Sequence, residues 1–359
     1  MIIKHIKKAD GLGRVDKYIL RLLPGLKPGL MHKQFRNKNI LLNGHKISGN
    51  ETVKEGDELK FFFSDDTFEA FSKGISDATT GSDPSDKYIK QGEHAVKMYK
   101  SDPDRVKVIY ENAHMIILDK PSDMLSQKSD DGDLSLNEWL IGYLIQSGFL
   151  KPEDMMHFKP SVLNRLDRNT SGIVLGSKSL LGAGVISKAL KERTLNKYYR
   201  TIVSGKYVDK DEIYTAYLSK NESTNIVNIL TNTVSDDSFS SIPDNYSIIR
   251  TGISFVKSVN NSELGDISML DIDLITGKSH QIRAHLAALG YPILGDTKYG
   301  NSRINKKFKA LLASPDHVSQ FLHAYKVVFN DDTVKELELD KDTYICPLPE
   351  SWDGLFSEN

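Results

Sequence analysis

The stretch VLNRLDRNTSGIVL, Val162 to Leu175, sets two apolar runs around a polar turn. Its middle, Asn164 to Gly172, is too polar for a central strand, whereas the following GIVL is typical of a buried strand. We therefore expect Asp167 on a loop at a sheet edge, where functional side chains are common. Two interpretations stay open here: a turn held by arginine–aspartate pairs, or a carboxylate kept ionised by nearby arginines for use in chemistry.

The segments around this stretch mix predicted strands and helices without strict βαβ alternation. Alternating or continuous apolar runs predict strands, and 3.6-residue periodicity predicts helices, the last of them with Ser279 as its cap. This mixture favours an α+β fold. The predicted strands are VIY (108–110), MIIL (115–118), KYYRTIVSG (197–205) and ISMLDIDLIT (267–276); the predicted helices are SLNEWLIGYLIQSG (135–148), SLLGAGVISKALKERT (179–194) and HQIRAHLAALG (280–290).

The last of these helices carries a second group of polar side chains. His280 and Arg283 share a face near its start, and Arg283 is long enough to pair bidentately with a carboxylate from another loop. His280 and His285 are five residues apart with no third ligand nearby, so we predict no metal site. A core or capping role for the histidines stays open.

Two adjacent tyrosines in the KYYRTIVSG strand form a third candidate. Because side chains alternate along a strand, one of Tyr198 and Tyr199 must face inward. An inward tyrosine is usually part of the core, although beside an active carboxylate it could stack on a base. The sequence contains no phosphate-loop lysine signature and no Gly-x-Ser-x-Gly elbow, which argues against triphosphate binding and serine hydrolase chemistry.

The composition is that of a globular protein of roughly two domains, with 359 residues, 26% charged residues and a mean hydropathy of -0.37. We expect no membrane span and no signal peptide, since no apolar run approaches the ~20 residues needed to cross a bilayer. A single cysteine, Cys346, precludes an internal disulfide and suits a cytoplasmic location. The net charge is -1, yet residues 1–60 hold thirteen Lys or Arg and six Asp or Glu. That excess suits a phosphate-binding module, and a solvated surface is the alternative.

The N-terminal region reads as helix, helix, hairpin and strand, with Asn43-Gly44 as the hairpin turn. Polar turn formers dominate residues 77–86, which predicts a linker or flexible loop. We expect a small αβ domain over residues 1–64, a linker over 65–104 and a larger domain over 105–350.

Six motifs in order resemble the RluA-type pseudouridine synthases. They are NRLDRNTSG at 164–172, the Lys-x-Tyr strand at 197–205, GKSHQIRAHL at 277–286, Gly-Asp-x-x-Tyr-Gly at 295–300, Leu-His-Ala at 322–324 and Lys-Pro at 120–121. The N-terminal region resembles the RNA-binding domain of ribosomal protein S4, through RVDKYI, LLNGHKI and EGDEL. Three positions depart from the family pattern: Asn164 for histidine, Asp123 for glycine and Lys278 for arginine.

The resemblance implies a pseudouridine synthase fold, with a mixed, mainly antiparallel sheet flanked by helices. It implies conversion of uridine to pseudouridine in RNA, with Asp167 as nucleophile, Tyr199 against the base and Arg283 as the ion-pair partner of Asp167. It implies no cofactor or metal, a monomer, and ribosomal RNA rather than tRNA as partner. Less favoured alternatives are a non-catalytic RNA-binding protein on this fold and a nucleoside hydrolase. Predicted RNA contacts are Arg165, Arg168, Thr170, Lys120, Lys278, His280, Gln281, Arg14, Lys17, Lys33 and Arg36.

Overall fold

The computed structural model describes two compact units, residues 1–82 and 83–359. Within them the described residues are 2–7, 12–36, 38–62, 65–74, 84–128, 135–156, 158–208, 210–221, 223–224, 226–231, 245–311 and 319–356.

The smaller unit combines short strands with helices, as the sequence predicts. Its elements are β1 (Ile2–His5), β2 (Gly13–Arg14), α1 (Val15–Leu22), α2 (Pro28–Arg36), β3 (Ile40–Leu42), β4 (His45–Lys46), β5 (Thr52–Val53), β6 (Glu58–Phe61) and α3 (Asp65–Ser72). Four strands form a sheet in the order β1-β6-β3-β4, and β2 pairs with β5. Asn43 and Gly44 both have positive φ, 49° and 76°, which suits the tight turn between β3 and β4.

One strand of this unit is absent from the sequence prediction. Residues Ile2–His5 pair antiparallel with β6 although only Ile2 is partly buried, so the segment lacks the apolar alternation of a typical strand. Helix α1 contributes Val15 and Ile19 to a hydrophobic core of the smaller unit that also contains Phe35 and Phe61. The unit therefore has the separate hydrophobic core that an independent domain needs.

The larger unit is built on one long sheet. Its strands are β7 (Lys107–Glu111), β8 (Met115–Lys120), β9 (Ser161–Val162), β10 (Ser171–Ser177), β11 (Asn196–Ser204), β12 (Glu212–Asn221), β13 (Ile226–Thr231), β14 (Ser247–Asn261), β15 (Gly265–Asp273), β16 (Leu322–Val328) and β17 (Thr343–Ile345). Its α-helices are α4 (Pro84–Ser101), α5 (Leu136–Gln146), α6 (Leu180–Glu192), α7 (Gln281–Ala288), α8 (Ser302–Leu311) and α9 (Asp331–Glu336).

The strand order is β13-β12-β14-β15-β11-β16-β10-β8-β7, with β9 beside β10 and β17 beside β16. Strands β10 and β16 run parallel, and every other neighbouring pair among the described strands is antiparallel. The predicted α+β class, with a mixed and mainly antiparallel sheet flanked by helices, is confirmed.

The predicted linker over 65–104 is wrong for its described residues, which form α3 and α4. Helix α4 belongs to the larger unit and packs on α5, where Tyr99 contacts Trp139 and Tyr143 at ring-centroid distances of 5.3 and 6.0 Å. Gly142 of α5 permits this close approach, because a Cβ there would lie 2.2 Å from the carbonyl oxygen of Ala95. The apolar stripe of α4 is sparse, so polar composition outweighs it when the sequence is read alone.

Candidate functional site

The loop that carries Asp167 runs from β9 to the start of β10. Gly172 allows β10 to begin close to β16: its φ is 106°, and a Cβ there would lie 2.3 Å from the carbonyl oxygen of Ala324. Asn164 extends the pairing of the loop with β10, since its Oδ1 accepts a hydrogen bond of 2.7 Å from the backbone N–H of Leu175. The Asn164 departure thus has a structural reason, because its amide side chain takes the place of a backbone partner.

Lys120 and Thr170 hold this loop from inside the protein. The fully buried Lys120 ammonium donates to the carbonyl oxygens of Pro121, Met124 and Arg168, at 2.7, 2.8 and 3.0 Å. Thr170 is buried and its hydroxyl accepts a bond of 2.6 Å from Gln320. The prediction that Lys120 and Thr170 contact RNA is therefore wrong for this structure, since both side chains are enclosed and satisfied by the protein.

Asp123, the second departure, lies in the turn after Lys120. Its φ is 64°, in the left-handed region that glycine adopts freely and that aspartate tolerates better than most residues. Asp123 can therefore replace glycine here because it adopts the left-handed backbone conformation that the turn requires. Burial lowers the pKa of the neighbouring Lys120, an effect that the charge of Asp167 opposes.

Arg283 joins two carboxylates at the centre of the site. One terminal nitrogen, Nη1, donates to Asp167 Oδ2 at 2.7 Å. The other edge of the guanidinium pairs bidentately with Asp296, through Nε to Oδ2 at 2.7 Å and Nη2 to Oδ1 at 2.9 Å. The predicted pairing of Arg283 with Asp167 is present, but the bidentate partner is Asp296, which the sequence reading left out of the site. Its signal was the Gly-Asp-x-x-Tyr-Gly motif.

Burial decides the division of roles between the two carboxylates. The Asp296 side chain is 0% exposed, that of Arg283 9% and that of Asp167 29%. Burial by itself would raise the pKa of Asp296, but its bonds from Arg283 and from the backbone N–H groups of Lys298 and Tyr299 outweigh this and lower it. Burial would likewise lower the pKa of Arg283, and both carboxylates together raise it. Asp296 thus anchors a permanent cation, and that cation holds Asp167 at the surface of the site.

Tyr199 lies on β11, which pairs with β15 and β16 in the middle of the sheet. It is 5% exposed, whereas Tyr198 on the opposite face is half-buried beneath the Lys326 ammonium, 4.0 Å from its ring centroid. Burial, and then the charge of Asp167, raise the pKa of Tyr199 well above that of an ordinary phenol. Tyr199 is therefore a neutral phenol at physiological pH.

Helix α7 starts differently from the prediction. Its N-cap is His280, with a left-handed φ of 54°, in place of Ser279, and the His280 side chain makes no capping bond. That conformation turns the imidazole into the site, where Nε2 lies 4.0 Å from Asp167 Oδ2. Nδ1 lies 2.9 Å from the hydroxyl of Tyr299, whose ring also stacks 5.3 Å from the Arg283 guanidinium. Tyr299 is a second site residue that the sequence reading missed.

The remaining predicted contacts divide by exposure. Gln281 is buried and bonds to Arg250, Thr251, Thr276 and the backbone of Lys278, so its predicted RNA contact is wrong for this structure. The other seven side chains are exposed and stay predictions: Arg165, Arg168 and Lys278 in the larger unit, and Arg14, Lys17, Lys33 and Arg36 in the smaller one. Arg14 is already paired with Asp16.

No group of three or more His, Cys, Asp or Glu side chains that could bind a metal ion occurs among the residues that the structure describes. Across the same ranges, no helix combines the length and apolarity required to cross a bilayer.

Comparison with known sequences identifies relatives over most of the chain. A family described as RNA pseudouridylate synthase matches residues 114–288. The ribosomal large subunit pseudouridine synthase C of Rickettsia typhi is 30% identical over 330 residues, which cover 91% of this chain and 92% of the relative. An RNA pseudouridine synthase of Mycoplasma genitalium, named as uncharacterized, is 28% identical over 88% of this chain and 85% of its own length.

Among solved structures, human RNA pseudouridylate synthase domain containing 1 aligns with a TM-score of 0.48 and 18% identity, over 71% of this chain and 89% of that one. Human RNA pseudouridylate synthase domain containing 4 aligns with the same TM-score and 16% identity, over 74% and 95% of the two chains.

Proposed function

Because the chain belongs to the RluA-type family of RNA pseudouridine synthases, we propose that it isomerises uridines of large-subunit ribosomal RNA, with Asp167 as the nucleophile. The observation that supports this most is the chain of contacts Asp296–Arg283–Asp167. It ends on a carboxylate that is 29% exposed and whose Oδ2 is held at 2.7 Å. A carboxylate in that position is accessible to a nucleotide and oriented by a cation that is itself fixed.

The reaction moves the uracil from one atom to another on the same sugar. Asp167 attacks C1′ as the bond between C1′ and N1 breaks, the uracil turns, and a new bond forms between C1′ and C5 as the bond to Asp167 breaks. The proton on C5 is then removed and N1 gains one, so atoms and charges balance without any co-reactant. The cation of Arg283 keeps Asp167 oriented through these steps.

Tyr199 supports the proposal because it lies near enough to Asp167 for the charge of the carboxylate to raise the pKa of the phenol. A uracil stacked in RNA must be flipped out to reach Asp167, at a cost of a few kcal/mol, and an aromatic ring can receive it. Since burial and Asp167 raise the pKa of Tyr199, its phenol stays protonated. A protonated phenol can stack or donate a hydrogen bond, and it acts on the C5 proton only as a relay to another base.

The target RNA is proposed from the relatives and from the smaller unit. Relatives that match over most of the chain are named ribosomal large subunit pseudouridine synthase C. The smaller unit exposes Lys17, Lys33 and Arg36, and the surplus of basic residues over 1–60 suits phosphate contacts. The runner-up substrate is tRNA.

The test is the substitution Asp167→Asn, assayed on an unmodified large-subunit ribosomal RNA transcript and on unmodified tRNA. We expect RNA affinity within about two-fold of wild type and no pseudouridine by carbodiimide primer extension, because the amide keeps an acceptor for Arg283 but is not a nucleophile. Asp271→Asn is the control, since Asp271 also pairs with an arginine, Arg200, at 2.7 and 2.9 Å. Pseudouridine made by Asp167→Asn would refute the role of Asp167. Modification of tRNA alone would refute the ribosomal substrate, and free uracil would indicate a hydrolase.

A further inference from the structure

His280 faces the proposed nucleophile in an unusual backbone conformation. Its φ of 54° is in the left-handed region, which a non-glycine residue adopts only where the surrounding structure holds it there. The side chain is 12% exposed, and Nε2 lies 4.0 Å from Asp167 Oδ2, the oxygen that Arg283 already holds. The position of the hydrogen on this imidazole therefore decides whether Nε2 presents an N–H donor or a lone pair to Asp167.

The donors and acceptors around Tyr299 favour one position for the hydrogen of the His280 imidazole. The backbone N–H of Val227 donates to the Tyr299 oxygen at 2.9 Å. Within the described part of the chain, the Tyr299 hydroxyl hydrogen has one acceptor, His280 Nδ1 at 2.9 Å. Because a backbone N–H can only donate, the phenol accepts from Val227; a donation from its hydroxyl to His280 Nδ1 then satisfies both groups, whereas a hydrogen on Nδ1 would leave the phenol hydrogen without an acceptor among the described residues. In this favoured arrangement Nδ1 of His280 accepts and carries no hydrogen.

The imidazole is also neutral. Burial lowers the pKa of His280 from its ordinary value, with Arg283 and Lys298 adding to the effect, while Asp167 opposes it without reversing it. A neutral imidazole has one N–H, and an accepting Nδ1 places it on Nε2. The N–H of His280 is then on the ring nitrogen that lies 4.0 Å from Asp167 Oδ2.

We propose that Tyr299 holds His280 as the Nε2–H tautomer, and that His280 is a positioning residue for Asp167. A donor facing Oδ2 attracts that oxygen and keeps the carboxylate on Arg283, which leaves Oδ1 for the nucleotide. The other tautomer would face Oδ2 with a lone pair, and the repulsion would turn Asp167 away from Arg283. This inference rests on the proposed role of Asp167.

The first test reads the tautomer directly. Nitrogen-15 chemical shifts of the imidazoles distinguish the two tautomers without any substrate. In the wild type, at neutral pH, we expect the His280 signals of a neutral ring protonated at Nε2. In Tyr299→Phe we expect averaged shifts, because the donor to Nδ1 is gone. A wild-type ring protonated at Nδ1, or doubly protonated, would overturn the proposal.

The second test compares two amides at position 280. The Nε2 amide of His280→Gln lies as many bonds from Cβ as the imidazole Nε2 and can still donate to Asp167. The shorter amide of His280→Asn corresponds to Nδ1 and cannot. Asparagine nevertheless tolerates a left-handed backbone better than glutamine, so a purely structural role predicts that His280→Asn is the more active variant. We expect the reverse order: kcat reduced about three-fold in His280→Gln, and ten-fold or more in His280→Asn, with KM for RNA unchanged.

Tyr299→Phe should lower kcat roughly ten-fold, the rate equivalent of one net hydrogen bond, also without raising KM. The control is Tyr325→Phe, which removes a hydroxyl that bonds to Asp271 at 3.1 Å and should leave kcat unchanged. Equal activity of His280→Gln and His280→Asn, or an unchanged kcat in Tyr299→Phe, would refute the positioning role. Inactive wild-type protein would instead refute the proposed function, and the nitrogen-15 shifts would still test the tautomer.

Discussion

Replacing Asp296 by asparagine tests whether a buried carboxylate anchors Arg283. In the folded protein Asp296 Oδ1 accepts from Arg283 and from the backbone N–H groups of Lys298 and Tyr299, while Oδ2 accepts from Arg283 Nε. If the asparagine keeps its oxygen on the backbone side, its amide NH₂ takes the place of Oδ2 and faces the Nε–H donor of Arg283. A buried arginine then loses its main counter-charge.

Removing one partner of a buried ion pair costs about 3–5 kcal/mol. Asp167 still contacts Arg283 at 2.7 Å, so the lower end, about 3 kcal/mol, is the expected loss in the free energy of unfolding. For a unit of this size, each kcal/mol lowers Tm by roughly 2–4 °C, so Tm should fall by roughly 6–12 °C. Pseudouridine formation should fall more than this loss of folded protein explains, because Arg283 no longer holds Asp167 in one orientation.

The measurement is urea unfolding at pH 7.5, followed by circular dichroism, together with thermal unfolding and the kcat of the folded protein. Asp271→Asn is the matched control, since Asp271 and Arg200 form the same bidentate geometry with side chains that are 28% and 25% exposed. A half-exposed pair contributes about 1 kcal/mol or less. If the two variants lose equal stability, burial does not set the strength of the Asp296 pair and the reasoning is refuted.

Two further predictions concern acid stability and RNA affinity. Burial lowers the pKa of both His285 and His323 to about 4. Between pH ~6.5 and about pH 4, the unfolded chain therefore binds protons that the folded chain does not bind. The free energy of unfolding decreases as the pH is lowered through that window, by about 1.4 kcal/mol per pH unit for each histidine. Urea midpoints measured from pH 7 to 4.5 should depend less on pH in His285→Gln and His323→Gln than in the wild type. The exposed His94→Gln is the control and should show the wild-type dependence. A wild-type slope of midpoint against pH in both buried variants would contradict this. Replacing the exposed Lys33 and Arg36 by glutamine should reduce the slope of log affinity against log salt by about 1–2 and leave kcat unchanged, since two phosphate contacts are lost; an unchanged slope in binding titrations would remove them from the interface.

The residues predicted to contact RNA fall into two groups, buried and exposed. Their sequence motifs do not distinguish the two groups. Lys120 and Gln281 stand in motifs of the resemblance, as Lys278 and Arg168 do. Only the fold shows that the first two are enclosed and saturated with protein hydrogen bonds, while the other two face solvent. A polar residue in a motif can serve the substrate or the loop beside it, and the difference depends on partners distant in sequence.

By itself, the sequence determined the α+β class, the family and some of the residues that meet in the site, among them Asp167, His280 and Arg283, because periodicity and short motifs are local properties of the chain. It also predicted the pairing of Asp167 with Arg283. The tertiary structure decided which carboxylate binds Arg283 bidentately and which groups surround the Tyr299 hydroxyl beside His280. Those outcomes depend on burial and on donors brought from other strands, such as the Val227 N–H. Hydrogen-bond directions of this kind arise only when segments far apart in the chain pack together.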